Sequence, residues 1–421
     1  MDSQYKYVIV GSSHAGLAAL KNIRIQDPEG SIALITREDA LPYSPTILPY
    51  VLSGQIEPDN ISLLNESDLM GMGVVFLRNK TLARINTHAR GISLASGETL
   101  RYEKLLLATG AEPTAPPIAG LENTPYHVLR TVDDTLRLRN AARQRDSAVI
   151  LGAGLIGMHA CESLAEEGLN VTVIESMPQI LRGYFDEESS DLIRRIFLDH
   201  DVKIILQRDV NRASMSGDSP LLSLHSGEEI SSGLLLISTG MRPRMEYLAG
   251  SGIEADEGIV VDERMRTSVE GVWAAGDVAK APDFFTSEKS LMGTLLNAVE
   301  QGRIAGMGMA DDPALVSHAG GIRMNTYKFF GHRAISAGLI HPLSPDESLE
   351  ERKMGNPDGR GYLKLFFRED RLMGFLSIDF NLDPGIMCEL IRRRVDLRGV
   401  KEDLTNRSQD IGRVVMNRIW R

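Results

Sequence analysis

Two glycine turns, about 140 residues apart, constrain this chain more than any other feature of its sequence. Each stands between an apolar strand and an apolar helix. The first unit runs Tyr7-Val8-Ile9-Val10, then Gly11-Ser12-Ser13-His14-Ala15-Gly16, then a helix through Leu17, Leu20 and Ile23, then a strand Ile32–Ile35. The second runs Ala148–Leu151, then Gly152-Ala153-Gly154-Leu155-Ile156-Gly157, then a helix reaching Glu167 with Gly168 as its C-terminal stop. A strand Val171–Ile174 follows, closed by Glu175. Unbroken apolar strands of this kind belong to parallel sheets covered on both faces. The repeat distance is too long for a solenoid, so the chain holds two separate strand–helix–strand units.

A strand that ends in a glycine turn and feeds a helix aims the helix's free N–H groups, and its dipole, at one point. A pyrophosphate fits there if no side chain blocks the backbone, which demands small residues at the first, third and sixth positions. In the second unit these are Gly152, Gly154 and Gly157, with Leu155 and Ile156 opening the helix. Glu175 follows about 20 residues later, where a carboxylate can accept hydrogen bonds from an adenosine ribose. A 2′-phosphate would be repelled there and no Arg follows directly, so NAD is expected rather than NADP. In the first unit Ser13 replaces the middle glycine, and the strand ends in Thr36, Arg37 and Glu38. Thr36 or Glu38 is expected at a ribose and Arg37 near phosphate.

The length, 421 residues, exceeds one ordinary core. The net charge of −11 argues against a nucleic-acid or anionic-membrane surface. Arg392-Arg393-Arg394 reads as a solvated helix face. No apolar run is long enough for a membrane helix, and Met1–Gln4 shows no secretory pattern, so cytoplasmic residence is the expectation. The two cysteines, Cys161 and Cys388, form no Cys-x-x-Cys motif and no metal-ligand set. Cys161 lies on a helix that must pack on a sheet, which implies a buried, inert thiol. Pro113, Pro116 and Pro117 mark a crossing between domains. Asp209–Glu229 reads as hairpins with polar turns. Beyond Ser317 the pattern changes to short alternating strands, Gly361–Phe367 and Leu372–Ile378, and a helix near Ile386–Arg394.

Three further segments carry a family resemblance. Leu105–Pro113 contains Ala108-Thr109-Gly110, Leu236–Pro243 contains Thr239-Gly240, and Thr267–Val278 contains Gly276-Asp277. In this order, with the two glycine turns, they resemble the FAD/NAD(P)-dependent pyridine nucleotide–disulfide oxidoreductases over roughly the first 310 residues. The resemblance implies an α/β protein with two Rossmann-like dinucleotide-binding domains, for FAD and NAD, plus a C-terminal α+β interface domain. The implied boundaries are 1–118 and 244–316 for FAD, 119–243 for NAD and 317–421 for the C-terminal domain. It directs Gly11, Ser12, Ser13, Ala15 and Gly16 to the FAD pyrophosphate. Ala108, Thr109, Gly110 and Gly276 would line the flavin nucleotide, and Asp277 would hold its ribityl chain. The helix starting near Gly293-Thr294 would aim its N-terminus at the flavin's pyrimidine end. NAD falls to Gly152, Gly154, Leu155, Ile156, Gly157, Glu175, Thr239 and Gly240.

The departures from the family are as informative. Leu41–Gly54 resembles the segment under the flavin, yet Thr46 stands where related coenzyme A–disulfide reductases carry a redox cysteine. A threonine forms no thiolate. Pro45 and Thr46 are expected beside the isoalloxazine, with no side chain as catalytic acid or base. The same gap is expected in the NADH:rubredoxin and ferredoxin reductase branch, which implies an iron–sulfur partner. Two cysteines cannot hold a cluster, so the expected acceptor is another polypeptide or a small molecule. At whole-chain scale the sequence resembles the flavin subunit of an NAD-linked 2-oxoacid dehydrogenase complex, and an oligomer, with itself or with other subunits, is expected. His159 replaces a frequent glutamate and is either a nicotinamide-side contact or a plain helix residue. His14 is read as a turn residue rather than a base. A stand-alone reductase, a non-catalytic NADH/flavin redox sensor and a thiol-free NADH oxidase or peroxidase remain as other readings.

Overall fold

The computed structural model describes residues 3–286, 288–355, 361–406 and 408–419. The chain divides into two compact units. One comprises the chain up to Ala115, Val128–Asn140 and Gly240–Ile322; the other comprises Pro116–His127, Ala141–Thr239 and the chain from Arg323 onward.

In the first unit, strand Ser3–Val10 lies between Ile32–Ile35 and Thr99–Leu107, parallel to both. Val74–Leu77 extends the sheet beyond Ile32–Ile35, and Val272–Ala274 pairs with the end of Thr99–Leu107. Register decides what this sheet can do. Val10 pairs with both Ile35 and Leu107, and Leu107 pairs with Ala274. Four strand ends therefore stop level, and the chain leaves them along one edge at Gly11, Thr36, Ala108 and Ala275. The carboxyl ends of parallel strands are where doubly wound sheets bind ligands. The first strand begins at Ser3, ahead of the apolar run, because Ser3, Gln4 and Tyr5 pair with Leu100–Tyr102. Val8, Ile9, Leu34 and Leu106 are fully buried, each worth about 1.5–3 kcal/mol of transfer free energy. Helix His14–Gln26 crosses helix Leu295–Met309 at small residues: a Cβ on Gly302 would lie 2.2 Å from the Ala15 carbonyl oxygen.

The second unit repeats the plan with the parallel order Lys203–Leu206, Asn170–Glu175, Ser147–Leu151, Leu234–Ile237. Leu151 pairs with Ile174 and with Ile237, so Gly152, Glu175 and Ser238 leave the sheet side by side. The expected hairpins between Asp209 and Glu229 are Val210–Ser216, Ser219–Leu224 and Glu229–Ser231, all antiparallel.

The same unit carries a five-stranded antiparallel sheet, ordered Met324–Phe329, His332–Gly338, Arg371–Ile378, Tyr362–Arg368, Glu350–Met354. Phe330 and Gly331 close its first hairpin with φ of 44° and 79°, the left-handed pair that suits a two-residue loop. The expected alternation over Gly361–Phe367 is absent. Tyr362–Phe367 is buried at every residue, because Lys364 meets carboxylates instead of water. The expected helix at Ile386–Arg394 runs Pro384–Arg392, since Asp383 accepts from the Gly385 and Ile386 N–H groups and Pro384 opens the first turn. Glu389 pairs with Arg392 and Arg393 at 3.8 and 2.9 Å. Among the described residues, no helix is long and apolar enough to cross a membrane.

Candidate functional site

The level strand ends of the first unit form an open cleft of about 820 Å3, its mouth included. Gly11, Ser12 and Ser13 line its floor, Thr36, Arg37 and Glu38 one side, and Ala108, Thr109, Gly110 and Pro45 the other. Gly11 has φ +120°, and a Cβ there would fall 2.0 Å from the Ala108 carbonyl oxygen. Only glycine lets the turn cross that strand so closely. Helix His14–Gln26 starts at Ser13 without a side-chain cap and without an acid in its first turn. Its first N–H groups are thus left for something else.

Glu38 is more than an exposed strand-end acid. The Tyr43 hydroxyl donates to it at 2.6 Å, and burial lifts its carboxyl above the usual range. Arg37 reaches Glu112 at 3.6 Å. Thr109 shares a hydrogen bond with the buried Tyr247 hydroxyl, 2.7 Å. Thr46 is exposed on the one-turn helix Pro45–Ile47, its hydroxyl 2.7 Å from Ser44. Ser44 is in turn 2.8 Å from Nε2 of His14. The side chain of His14 is therefore engaged with the Thr46 segment, beyond the turn role read from sequence. Burial lowers its pKa, with Asp277 acting the other way.

Five residues expected to bind FAD lie outside the cleft lining. Ala15 and Gly16 form the packed start of the helix; a Cβ on Gly16 would sit 1.9 Å from the Gly11 oxygen. Gly276 is buried and its N–H donates to Gln301, 2.8 Å. Asp277 stands 3.8 Å from Arg130. Thr294 caps helix Leu295–Met309 through its backbone and accepts from the buried Asn297 amide, 2.9 Å. Thr46 is the sixth expected residue that the lining omits.

Sequence reasoning missed Arg130. Its Nε donates to the Ala111 oxygen at 2.8 Å, it lies beside Gly110 and Asp277, and it faces the cleft. It reaches there from Val128–Asn140, the return of the chain to this unit. Lys80 and Arg244 also line the cleft. With Arg37, four cations beside a glycine turn suit an anionic ligand. Arg130 had no local motif; its role needs contacts with residues far from it in sequence.

The second turn is better resolved by its glycines. Gly152 has φ +98°, with a Cβ 2.5 Å from the Ser238 oxygen, and Gly157 would collide with Gly152. Those two are demanded by packing. Gly154 is not: it is extended, and a Cβ there meets nothing within 4 Å. The protein's own packing therefore leaves open space over the turn at this position. Gly154 is also the uncapped start of helix Leu155–Glu166, with Leu155 and Ile156 in its first turn. Glu175 accepts from the Ala153 N–H at 2.8 Å and from the Met177 N–H at 2.9 Å. The acid thus staples the turn to the strand end. Ser238, also missed, donates to the Gly152 oxygen at 2.9 Å. Thr239 is exposed next to it, while Gly240 begins the last stretch of the other unit.

His159 is half-buried, its ring edge-on to Tyr327 at 4.5 Å between centroids, and burial brings its pKa down to about 4. The ring is neutral at physiological pH and packs against the C-terminal sheet, which favours the plain helix reading. Cys161 is fully buried, and burial pushes its thiol pKa up. The residues present suit two dinucleotides: two open helix starts, small residues where a pyrophosphate must approach, and an acid at or just beyond each second-strand end.

A family model described as pyridine nucleotide-disulphide oxidoreductase matches residues 5–302. Over 417 residues the chain is 42% identical to the epsilon subunit of NADH-dependent phenylglyoxylate dehydrogenase from Aromatoleum evansii, spanning 99% of this chain and 98% of that one. It is 30% identical over 299 residues to rubredoxin-NAD(+) reductase from Pseudomonas putida, 70% of this chain and 78% of that one. The solved ferredoxin reductase of the CYP199A2 system from Rhodopseudomonas palustris superposes with a TM-score of 0.84 at 22% identity, covering 93% and 96% of the two chains. That last likeness is one of fold.

Proposed function

The chain belongs to the pyridine nucleotide-disulphide oxidoreductase family, and from that premise we propose that it is an FAD-dependent enzyme passing electrons between NAD(H) and an iron–sulfur partner. The finer reading is the flavin subunit of a 2-oxoacid dehydrogenase complex acting on phenylglyoxylate, with cluster-bearing subunits delivering electrons for NAD+ reduction. The end-to-end 42% identity to the phenylglyoxylate dehydrogenase subunit carries it.

Bound FAD supplies a centre that takes electrons as a hydride and releases them singly. The chain's residues hold and orient. Gly11–Gly16 and the helix they open meet the FAD pyrophosphate, with Arg130 adding charge. Thr36 and Glu38 meet its ribose, and Asp277 its ribityl hydroxyls. The start of helix Leu295–Met309 would turn its positive dipole toward bound FAD and favour negative charge there. Gly152, Gly154 and Gly157 admit the NAD pyrophosphate and Glu175 accepts from the ribose. Thr46 would supply no thiolate near bound FAD, so no protein disulfide would store the electrons, in keeping with their passing to a partner. With two cysteines in the chain, the cluster belongs to that partner.

The test is the anaerobic visible spectrum of the purified chain before and after one equivalent of NADH. A flavin spectrum that bleaches promptly, in a chain that does not oxidise 2-oxoacids alone, is the expected result. A colourless protein, or a flavin that NADH cannot bleach, overturns the reading. The likeness to rubredoxin-NAD(+) reductase favours a second reading, a stand-alone reductase; rapid reduction of added rubredoxin or ferredoxin by this chain alone would select it.

A further inference from the structure

Glu175 is followed by a ten-residue segment, 176–185, that folds back over the second glycine turn. The Leu181 N–H donates to the Ala153 oxygen at 2.8 Å, while the Ala153 N–H is held by Glu175. One residue of the turn, Ala153, is thus held through both its N–H and its C=O. Ile180, Leu181 and Phe185 are fully buried. Leu181 sits at φ +52°, a left-handed conformation that a branched residue keeps only when its surroundings enforce it. The segment ends at Asp186, which starts helix Glu187–Asp199 by accepting from the Ser189 N–H, 2.9 Å.

The other oxygen of Asp186 meets the ammonium of Lys364 in a short ion pair. Lys364 comes from strand Tyr362–Arg368 of the C-terminal sheet, and its side chain is 5% exposed. Glu188 at 3.2 Å and Glu351 at 3.4 Å complete its surroundings, and Lys353 shares Glu188 at 2.6 Å. Burial opposes the ammonium, but Asp186, Tyr362 and Glu188 outweigh it and hold its pKa above the ordinary value. Asp186 is correspondingly held below the usual carboxylate range: burial opposes this, but its bonds to Lys364 and Ser189 prevail.

Without that cation, Asp186 is a buried carboxylate facing two others. The relief open to it is to swing the helix start into water. That pulls Phe185 from its site and releases Leu181 from Ala153. We propose that Lys364 is a positioning residue for the nicotinamide dinucleotide, holding segment 176–185 on the glycine turn so that the C-terminal sheet sets coenzyme affinity. The inference rests on the reading that this turn holds NAD(H). Affinity falls in proportion to the fraction of molecules with the segment in place.

The experiment uses the purified full chain with its flavin. NAD+ binding is measured by calorimetry, and backbone hydrogen exchange is followed at Leu181. Lys364→Met should raise the Kd for NAD+ about tenfold, as expected if the ordered fraction drops to about a tenth. It should also speed exchange at Leu181 and leave flavin content and spectrum unchanged. Lys364→Arg should return Kd to within about threefold of the parent. Asp186→Asn keeps a helix cap and should also raise Kd; it carries the test if Lys364→Met does not fold. Faster exchange with an unchanged Kd, or a lowered Tm alone, overturns the proposal and leaves Lys364 a structural strap. A parent chain that does not bind NAD+ overturns the underlying reading as well.

Discussion

Gly154→Val separates the dinucleotide from the fold. Gly154 has φ −76° and ψ −179°, a conformation open to every residue, and nothing lies within 4 Å of a Cβ built there. The substitution loses a helix-cap preference of about 0.5–1 kcal/mol. It recovers about 0.4–1 kcal/mol by restricting the unfolded chain. The two nearly cancel, so Tm should move by no more than about 3 °C. The new side chain fills the space above the helix's first N–H groups. Loss of pyrophosphate approach should raise the Kd for NADH at least about tenfold, or about 1.4 kcal/mol. Gly152→Val is the control. At φ +98° and 2.5 Å from the Ser238 oxygen, it should cost several kcal/mol and lower Tm by roughly 10 °C. NADH titration and thermal unfolding of both variants decide the matter. A Gly154→Val protein with parental Tm and parental NADH affinity refutes the argument that this glycine is kept for a ligand.

Glu175→Arg removes the staple to Ala153 together with the proposed ribose acceptor; flavin bleaching by NADH should need at least about tenfold more coenzyme, and an unchanged preference over NADPH would remove Glu175 from the site. Asp277→Ala should weaken FAD retention by roughly 1.5–3 kcal/mol, read as flavin lost on gel filtration. Glu162 gives a pH dependence: burial pushes its carboxyl up to about 7, against the hydrogen bond from the Phe330 N–H. The folded state therefore holds this proton more tightly than the unfolded state, and stability declines as pH rises from about 4.5 to about 7. Glu162→Gln should abolish the decline, raising Tm at pH 8 by about 2 °C for about 1 kcal/mol after solvent access, with no gain near pH 4.5. Replacing Cys161 and Cys388 by Ala should leave NADH-driven dye reduction within about twofold, since burial raises both thiols, Cys388 to about 11; abolished reduction would restore a thiol mechanism.

What the sequence made legible was whatever depends on neighbours in the chain. The turn Gly152–Gly157, the strand ending at Glu175 and the stop at Gly168 each involve a few consecutive residues whose backbone demands leave a residue-type signature. Gly168 takes φ +89° after a helix that ends at Glu166. Tyr362–Phe367 defeated the same reasoning. A lysine in a strand normally marks the wet face, and Lys364 marks a buried one, because the three carboxylates that neutralise it come from Asp186, Glu188 and Glu351. Period-two patterning assumes that charge means water; a buried ion pair breaks that assumption without altering the local sequence.

The same distinction runs through the site. Gly11 and Gly154 look alike in sequence, yet one is fixed by the Ala108 oxygen and the other by nothing in the protein. A motif merges the two demands, and only the atoms around each glycine separate them. Arg130 and His14 show the reverse. Neither has a motif-level signature, but Arg130 lies beside Gly110 and Asp277, and His14 joins Ser44 and Thr46. Position 46, which has no thiol, ends a chain of hydroxyls anchored on an imidazole. That chain offers hydrogen bonds and no redox-active thiol, which suits the proposed release of electrons to a partner's cluster.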